Sequence, residues 1–334
     1  MWRLFWTLAI CWLTVWSASA CRAVPQTATR PGAASAAPTA TASATTASAT
    51  STTASTAQAV APAGYSPQSF GVPPSPKPRT LDRLQPSLNR PWSALHARMP
   101  SAIWEGDRVL VRDIRNFDFI TERDFVAQYY DRPFLLADLE TVDFIVVPFR
   151  DAPALAHTML SFGFQSGEQL VVSVEVRLEE GESYSPVLGA LRQFELIYVL
   201  ADERDAIRLR TEVRQDDVYL YRAQATPQQV QRLFVDILER VNQLREKPEF
   251  YDSFTNNCTT NIVAHINRLA GNTIPYQLDV LLPGYSANLA YNLGLLDRSV
   301  PFAELKQRAN IKELAHQHRD ATEFSRLIRT NLRR

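Results

Sequence analysis

The chain is 334 residues long, and its 35 Lys and Arg are balanced by 35 Asp and Glu. That balance supplies no net field to draw it to nucleic acid or to an anionic surface. The sequence also lacks metal-ligand spacing, a phosphate-binding Gly loop and any nucleic-acid motif, so neither a cofactor nor a nucleic-acid partner is expected.

Residues 1–21 carry the three parts of a secretory signal: Arg3, an apolar run from Leu4 to Trp16, and small residues from Ser17 to Ala20 ahead of Cys21. The run is too short to read as a membrane span. Ala18-Ser19-Ala20-Cys21 resembles a lipobox, in which Cys21 is lipidated and becomes the mature N-terminus; cleavage after Ala20 without a lipid is the alternative. Residues 22–91 are Ala, Thr, Ser and Pro with few large apolar side chains, too little to offset ordering entropy, and read as a disordered tether. Lipid and tether together predict a membrane-anchored protein, and Arg22 after the cysteine favours the periplasmic face of an outer membrane.

The folded domain is expected over 92–334, about 240 residues and enough for one large core. Helical material is expected first, around Thr121 to Tyr130, then a buried strand from Val142 to Phe149. Leu155 to Phe164 and Leu170 to Leu178 both alternate and flank the turn Gln165-Ser166-Gly167-Glu168, which predicts a hairpin. With both apolar faces on the core, His157, Ser161, Ser173, Glu175 and Arg177 gather on the other face, where mixed polar residues otherwise read as a solvated surface. Further strands are expected at Phe194 to Leu200, Ile207 to Val213 and Val218 to Tyr221. Thr226 with Gln229 forms a capping box and Pro227 opens a helix whose stripe from Val230 to Leu244 faces the core. Gly271 to Tyr291 reads as a long loop able to wall a cleft, and the tail from Phe302 as a basic helix with a solvated face.

Cys258 is the one cysteine of the folded region, since Cys11 and Cys21 lie in the signal. Asn257 reads as the cap of a helix whose face is Ile262, Val263, Ile266 and Leu269, with Gly271 at its C-terminal end. A thiol in the first turn meets the helix dipole and unpaired amides, which favour the nucleophilic thiolate; a small buried residue opening a core helix is the alternative. His265 lies two turns along the same helix, about 10 Å away and out of reach. His316 and His318 belong to the tail and His96 to the domain's entry. His157 is therefore the candidate base, with Glu175 or Ser173 as its orienting group and Asn257 as an aid to an oxyanion formed against the Cys258 amide.

Six blocks in order carry a resemblance: Arg115-Asn116-Phe117, His157 to Phe164, Ser173 to Arg177, Gly181 to Ser185, Arg192 to Leu196, and Asn257-Cys258-Thr259-Thr260. The chain from Trp104 to about Leu296 resembles the family named for the periplasmic domain of the bacterial lipoprotein N-acyltransferase Lnb. The resemblance implies an α+β fold of the circularly permuted papain-like (NlpC-type) kind, an antiparallel sheet packed against helices. It also implies a Cys nucleophile and a His base, roles that fall on Cys258 and His157, and ping-pong acyl transfer through a thioester. Glu175 as orienting group, with Ser173 as rival and Arg177 nearby, is read from the hairpin face.

The expected partners are thus a membrane, through the lipid on Cys21, and a lipoprotein or phospholipid acyl substrate. A papain-like peptidase or amidase of the cell envelope, and an envelope lipoprotein without catalysis, are the alternatives. An apolar groove at Cys258 points to acyl chemistry, a polar open cleft to a peptidase, and a walled-off thiol to a scaffold.

Overall fold

The structure is a computed structural model that describes residues 85–271 and 274–333. The described residues fall in the compact unit Gln68–Arg334; the other unit, Met1–Pro67, lies outside them, and so do the signal, Cys21 and most of the expected tether. Packing begins earlier than Trp92: the Ser87 N–H and the Arg90 guanidinium both donate to Glu195, and Arg90 reaches it at 2.7 Å.

Ten strands appear in chain order: β1 Ser101–Glu105, β2 Arg108–Arg115, β3 Asp118–Phe119, β4 Phe125–Val126, β5 Tyr129–Leu135, β6 Leu139–Phe149, β7 Ala152–Phe164, β8 Gln169–Arg177, β9 Glu195–Asp202 and β10 Tyr219–Arg222. Eight of them form one sheet in the order β1-β2-β9-β8-β7-β6-β10, with β5 also paired to β2. All pairings in it are antiparallel except the contact of Arg115 with Ala201 between β2 and β9. The helices are α1 Pro186–Ala190, α2 Glu203–Arg208 continued by a π turn at Leu209–Val213, α3 Pro227–Glu246, α4 Cys258–Ala270, α5 Leu278–Leu281, α6 Ser286–Asn292, α7 Phe302–Ala309, α8 Lys312–Gln317 and α9 Phe324–Leu327.

The sheet is buried on both faces. Leu160, Phe162, Val172, Val174, Leu196 and Leu200 meet Val230, Phe234, Ile237 and Leu238 of α3 and Cys258 and Ile262 of α4. The residues between them, including Met159, Val171, Ile197 and Val199, meet Ile207 of α2 and Ile311, Ala315, Phe324 and Ile328 of the C-terminal segment. Each such side chain contributes about 1.5–3 kcal/mol relative to exposure. The polar hairpin face expected to be solvated is therefore an interior face, and the C-terminal tail is its cover rather than a solvated helix. Arg329 holds the tail down, donating at 2.9 Å to Asp143 of β6 and at 2.7 Å to Glu203 of α2, all three buried.

Two local expectations give way to tertiary context. Thr121 to Tyr130 is not helical: the Thr121 hydroxyl accepts from the Arg123 and Asp124 N–H groups and closes the β3–β4 turn. The Phe117, Phe125 and Tyr129 rings pack across that hairpin. Ile207 to Val213 is helical, not a strand. The Asp202 side chain caps α2 by accepting from the Arg204 N–H at 2.9 Å, and Asp205 is held by Arg115 at 2.7 Å. The capping box at Thr226 and the helix behind it form as expected, and short helices interrupt the segment expected to be loop between Gly271 and Tyr291.

Candidate functional site

Cys258 opens α4. Asn257 is its cap: the Asn257 side chain accepts from the Thr260 N–H at 2.9 Å, and the Thr260 hydroxyl accepts from the Asn257 N–H at 2.8 Å. Its amide nitrogen donates to the Ser253 carbonyl at 2.8 Å. Both ends of the Asn257 side chain are thus spent on the turn, so an oxyanion there would rest on the free amides of the first helical turn. Gly271 ends the helix at φ 72°, the left-handed conformation in which glycine is least strained. Of the predicted apolar stripe, Ile262 is buried and Leu269 is exposed, and His265 of the same helix is buried.

The thiol is 5% exposed. Its polar neighbours are the Ala156 carbonyl at 4.0 Å and the Thr259 hydroxyl at 3.8 Å. The next residue on each element makes the stronger contact, Thr158 to Thr259 through their hydroxyls at 3.0 Å. On β7 the even-numbered residues therefore face α4.

His157 faces the other way. Its Nε2 lies 2.7 Å from the Ser173 hydroxyl, which donates at 2.7 Å to Glu175 Oε1. Since the Ser173 proton goes to the carboxylate, its oxygen accepts from His157 Nε2–H, and His157 Nδ1 is the unprotonated nitrogen. Met159, the next residue on this face, sits in the core beneath α2 and the tail. His157 and Cys258 thus lie on opposite faces of the sheet, and the expected dyad is not assembled. The reason is parity: the helix that carries the thiol packs on the apolar face of the hairpin, and the histidine belongs to the polar one. Among the described residues no histidine or carboxylate hydrogen-bonds to the Cys258 sulfur.

Glu175 and Ser173 border His157 as expected, but the carboxylate serves a larger network. His96 Nε2 lies 3.2 Å from Glu175, and His96 Nδ1 accepts from the Leu178 N–H at 3.2 Å, which fixes the tautomer. Arg210 donates to the same carboxylate at 3.3 Å from the π turn. Burial alone would raise the Glu175 carboxyl, but the His96 hydrogen bond and the charges of Arg210 and Arg115 outweigh it and hold it well below the usual carboxylate range. Burial, with Arg210 adding, pushes the His157 imidazole down to about 3, against the opposing pull of Glu175. It is therefore neutral in the folded protein. Arg177 lies apart, stacked 4.1 Å over Trp92 and donating to the His96 and Ala97 carbonyls, where it pins the domain's entry segment.

Sequence reasoning missed His96 and Arg210 as partners of Glu175, because they arrive from 79 residues before and 35 residues after it, with no spacing signal. It also missed a relay beneath α4: Asp236 holds His265 Nδ1 at 2.5 Å, His265 Nε2 meets the Tyr198 hydroxyl at 2.9 Å, and that hydroxyl donates to Asn261 at 3.0 Å. Burial lowers His265 to about 4. The relay locks the first two turns of α4 onto α3 and β9.

Clefts open on the surface of the described residues. A polar one of about 420 Å³ runs between α3 and α4, lined by Asp236, Glu239, Arg240, Asn256, Thr260 and Arg268 among others. Another of about 530 Å³ lies beyond the β6–β7 turn and includes Arg150, Asp216, Lys306 and Lys312. Cys258 lines neither. Val187, Leu188 and Leu191 on and after α1, and Phe254 in the loop before Cys258, are exposed. Among the described residues no group of three or more His, Cys, Asp or Glu converges as a metal site, and no helix is long and apolar enough to cross a membrane.

No curated protein and no solved structure matches the chain. A family model does, over a span narrower than the six sequence blocks: it leaves out Arg115-Asn116-Phe117 but contains His157, Ser173, Glu175, Asn257 and Cys258. Residues 125–284 match the family described as the Lnb N-terminal periplasmic domain, to which this part of the chain is similar.

Proposed function

We propose that the domain acts on acyl groups of envelope lipids or lipoproteins with Cys258 as the acyl-accepting nucleophile and without His157 as its base. The observation that carries this reading is the thiol's place in the first turn of α4. A nucleophile at the N-terminus of a helix packed on an antiparallel sheet is the arrangement of a permuted papain-like enzyme, and the backbone amides of that first turn suit a developing oxyanion. The chemistry balances without an imidazole. Sulfur attacks the carbonyl carbon of an ester, the acyl–oxygen bond breaks, the thiol proton ends on the leaving alcohol, and a thioester remains. An amine then takes the acyl group as an amide and restores the thiol.

The burial of Cys258 favours one further reading, an envelope lipoprotein that binds acyl chains without turnover. In either case a lipid on Cys21 would hold the domain at a membrane on the periplasmic side, with the outer membrane favoured by Arg22. Incubation with a diacyl phospholipid or a diacylglyceryl lipopeptide, followed by peptide mass mapping, tests the catalytic reading. An acyl adduct on Cys258 that is absent from Cys258→Ala supports it. Absence of the adduct from the wild type, with lipid still bound, leaves the binding reading.

A further inference from the structure

We propose that the polar cleft between α3 and α4 binds a small zwitterion, a molecule that carries an ammonium group and, a few bonds away, a carboxylate or phosphate. This goes beyond the acyl chemistry and does not require it. The cleft volume of about 420 Å³ falls within the range of small-molecule sites, roughly 300–1,000 Å³. Its α3 wall is Asp236, Glu239, Arg240 and Gln243, spaced three and four apart and so stacked on one helix face. Ala264 and Arg268 of α4 stand opposite.

Most of the charge around the cleft is already committed. Arg268 grips Asp236 with Nε at 3.0 Å and Nη2 at 2.8 Å, and His265 Nδ1 donates to the same carboxylate at 2.5 Å. Burial would raise the Asp236 carboxyl, but the hydrogen bonds from Arg268 and His265 outweigh it and hold it below its ordinary value, so it stays ionised. Arg240 donates to both oxygens of Glu249, at 2.8 and 2.6 Å. The Asn261 amide donates to the Asn256 side-chain carbonyl at 2.9 Å and its own carbonyl accepts from the Tyr198 hydroxyl, which fixes the inner end of the cleft before any ligand arrives.

What is left over faces the opening. The Glu239 carboxylate, the Gln243 amide and Arg268 Nη1 hydrogen-bond to nothing among the described residues. Glu239 lies one helical turn from Asp236, their Cβ atoms about 5–6 Å apart, yet Arg268 pairs with Asp236 and not with Glu239. The cleft therefore presents a carboxylate and a guanidinium N–H that do not satisfy each other. An ammonium on Glu239 and an anionic group on Arg268 Nη1 complete both, and the Gln243 amide can donate to the one or accept from the other. A lone cation leaves Arg268 unmet, and a lone anion meets the repulsion of Glu239 and Asp236, so the charges select a ligand that carries both signs. Ala264, one turn before Arg268, supplies the room, because its methyl leaves the middle of the cleft open.

Calorimetric titration of the full-length protein with β-alanine and with phosphoethanolamine tests this and distinguishes a carboxylate end from a phosphate end. Ethanolamine, which lacks the anion, and propionate, which lacks the ammonium, are the controls. Single-site binding of at least one zwitterion at millimolar concentration is expected, and the tighter of the two names the anionic end. Each control, and the zwitterion itself on Glu239→Gln, should bind at least about threefold more weakly, since an exposed charge pair contributes modestly on its own. Glu239→Gln changes charge and not shape at an exposed residue, and Ala264→Leu, checked for folding by circular dichroism, should abolish binding by filling the cleft. Absence of saturable binding by either zwitterion, or binding that Glu239→Gln leaves unchanged, or a control that binds as tightly as the zwitterions, overturns the proposal.

Discussion

The hydroxyls of Thr158 and Thr259 meet at 3.0 Å with both residues buried, and this contact sets the start of α4 against the face of β7 that His157 does not share. Two consecutive strand residues point to opposite sides. Whatever fixes Thr158 beneath α4 turns His157 to the opposite face, toward Ser173 and Glu175.

The threonine pair should behave as a coupled unit. Thr158→Val alone leaves the Thr259 hydroxyl buried without its partner and should cost about 1–3 kcal/mol. Thr158→Val with Thr259→Val should cost less than the sum of the single changes. Urea unfolding of the four proteins measures this, and strict additivity would remove the pair from its anchoring role.

Acid should destabilise the fold before most carboxylates titrate. His157 and His265 are lowered to about 3 and 4 in the folded state, against about 6.5 when unfolded. Below pH 6.5 the unfolded chain binds protons that the folded chain refuses, so the stability these imidazoles contribute is complete above 6.5 and is lost as pH falls toward their folded values. Each adds a slope of up to about 1.4 kcal/mol per pH unit. Unfolding free energies between pH 6.5 and 4.5 should show this, and His157→Gln, which keeps a donor toward Ser173, should flatten the slope by about one proton.

The tail should be essential to the fold. Arg329→Ala leaves Glu203 and Asp143 buried without their shared partner, although Arg222 still reaches Asp143, and should cost about 3–5 kcal/mol. A loss under about 1 kcal/mol in denaturant unfolding would mean that the tail is only loosely held.

Gly284 lies so close to the Pro153 and Ala154 carbonyls that a Cβ would overlap backbone, which cannot rotate away. Gly284→Ala should therefore destabilise by about 1–3 kcal/mol. Gly271→Ala tests conformation instead, since open space surrounds that glycine at φ 72°. It should cost about 1 kcal/mol.

Much of the fold was legible where one period ruled. The alternation over β7 and β8, the caps at Thr226 and Asn257 and the stripe of α3 all appear as the sequence implied, because local propensity and burial agree there. Ile207 to Val213 alternates like a strand but is helical, because Asp205 and Arg210 are drawn to Arg115 and Glu175 across the sheet. The site was legible in its parts and not in its assembly. The hairpin register gathered His157, Ser173 and Glu175 correctly, and the same reasoning placed the apolar face of that hairpin against the core helices. Which face receives α4 depends on packing between elements 101 residues apart, for which the sequence holds no periodic signal.

The most direct test of the account is the formation of an acyl adduct at Cys258 in wild type, Cys258→Ala and His157→Gln, each shown to be folded and then incubated with a diacyl lipid. Because His157 lies across the sheet from the sulfur, the account predicts an adduct in the wild type, none in Cys258→Ala, and a rate in His157→Gln within about threefold of wild type, less than a tenfold effect of about 1.4 kcal/mol on the barrier. A folded His157→Gln protein that forms no adduct would contradict it, because the imidazole would then have to reach the thiol.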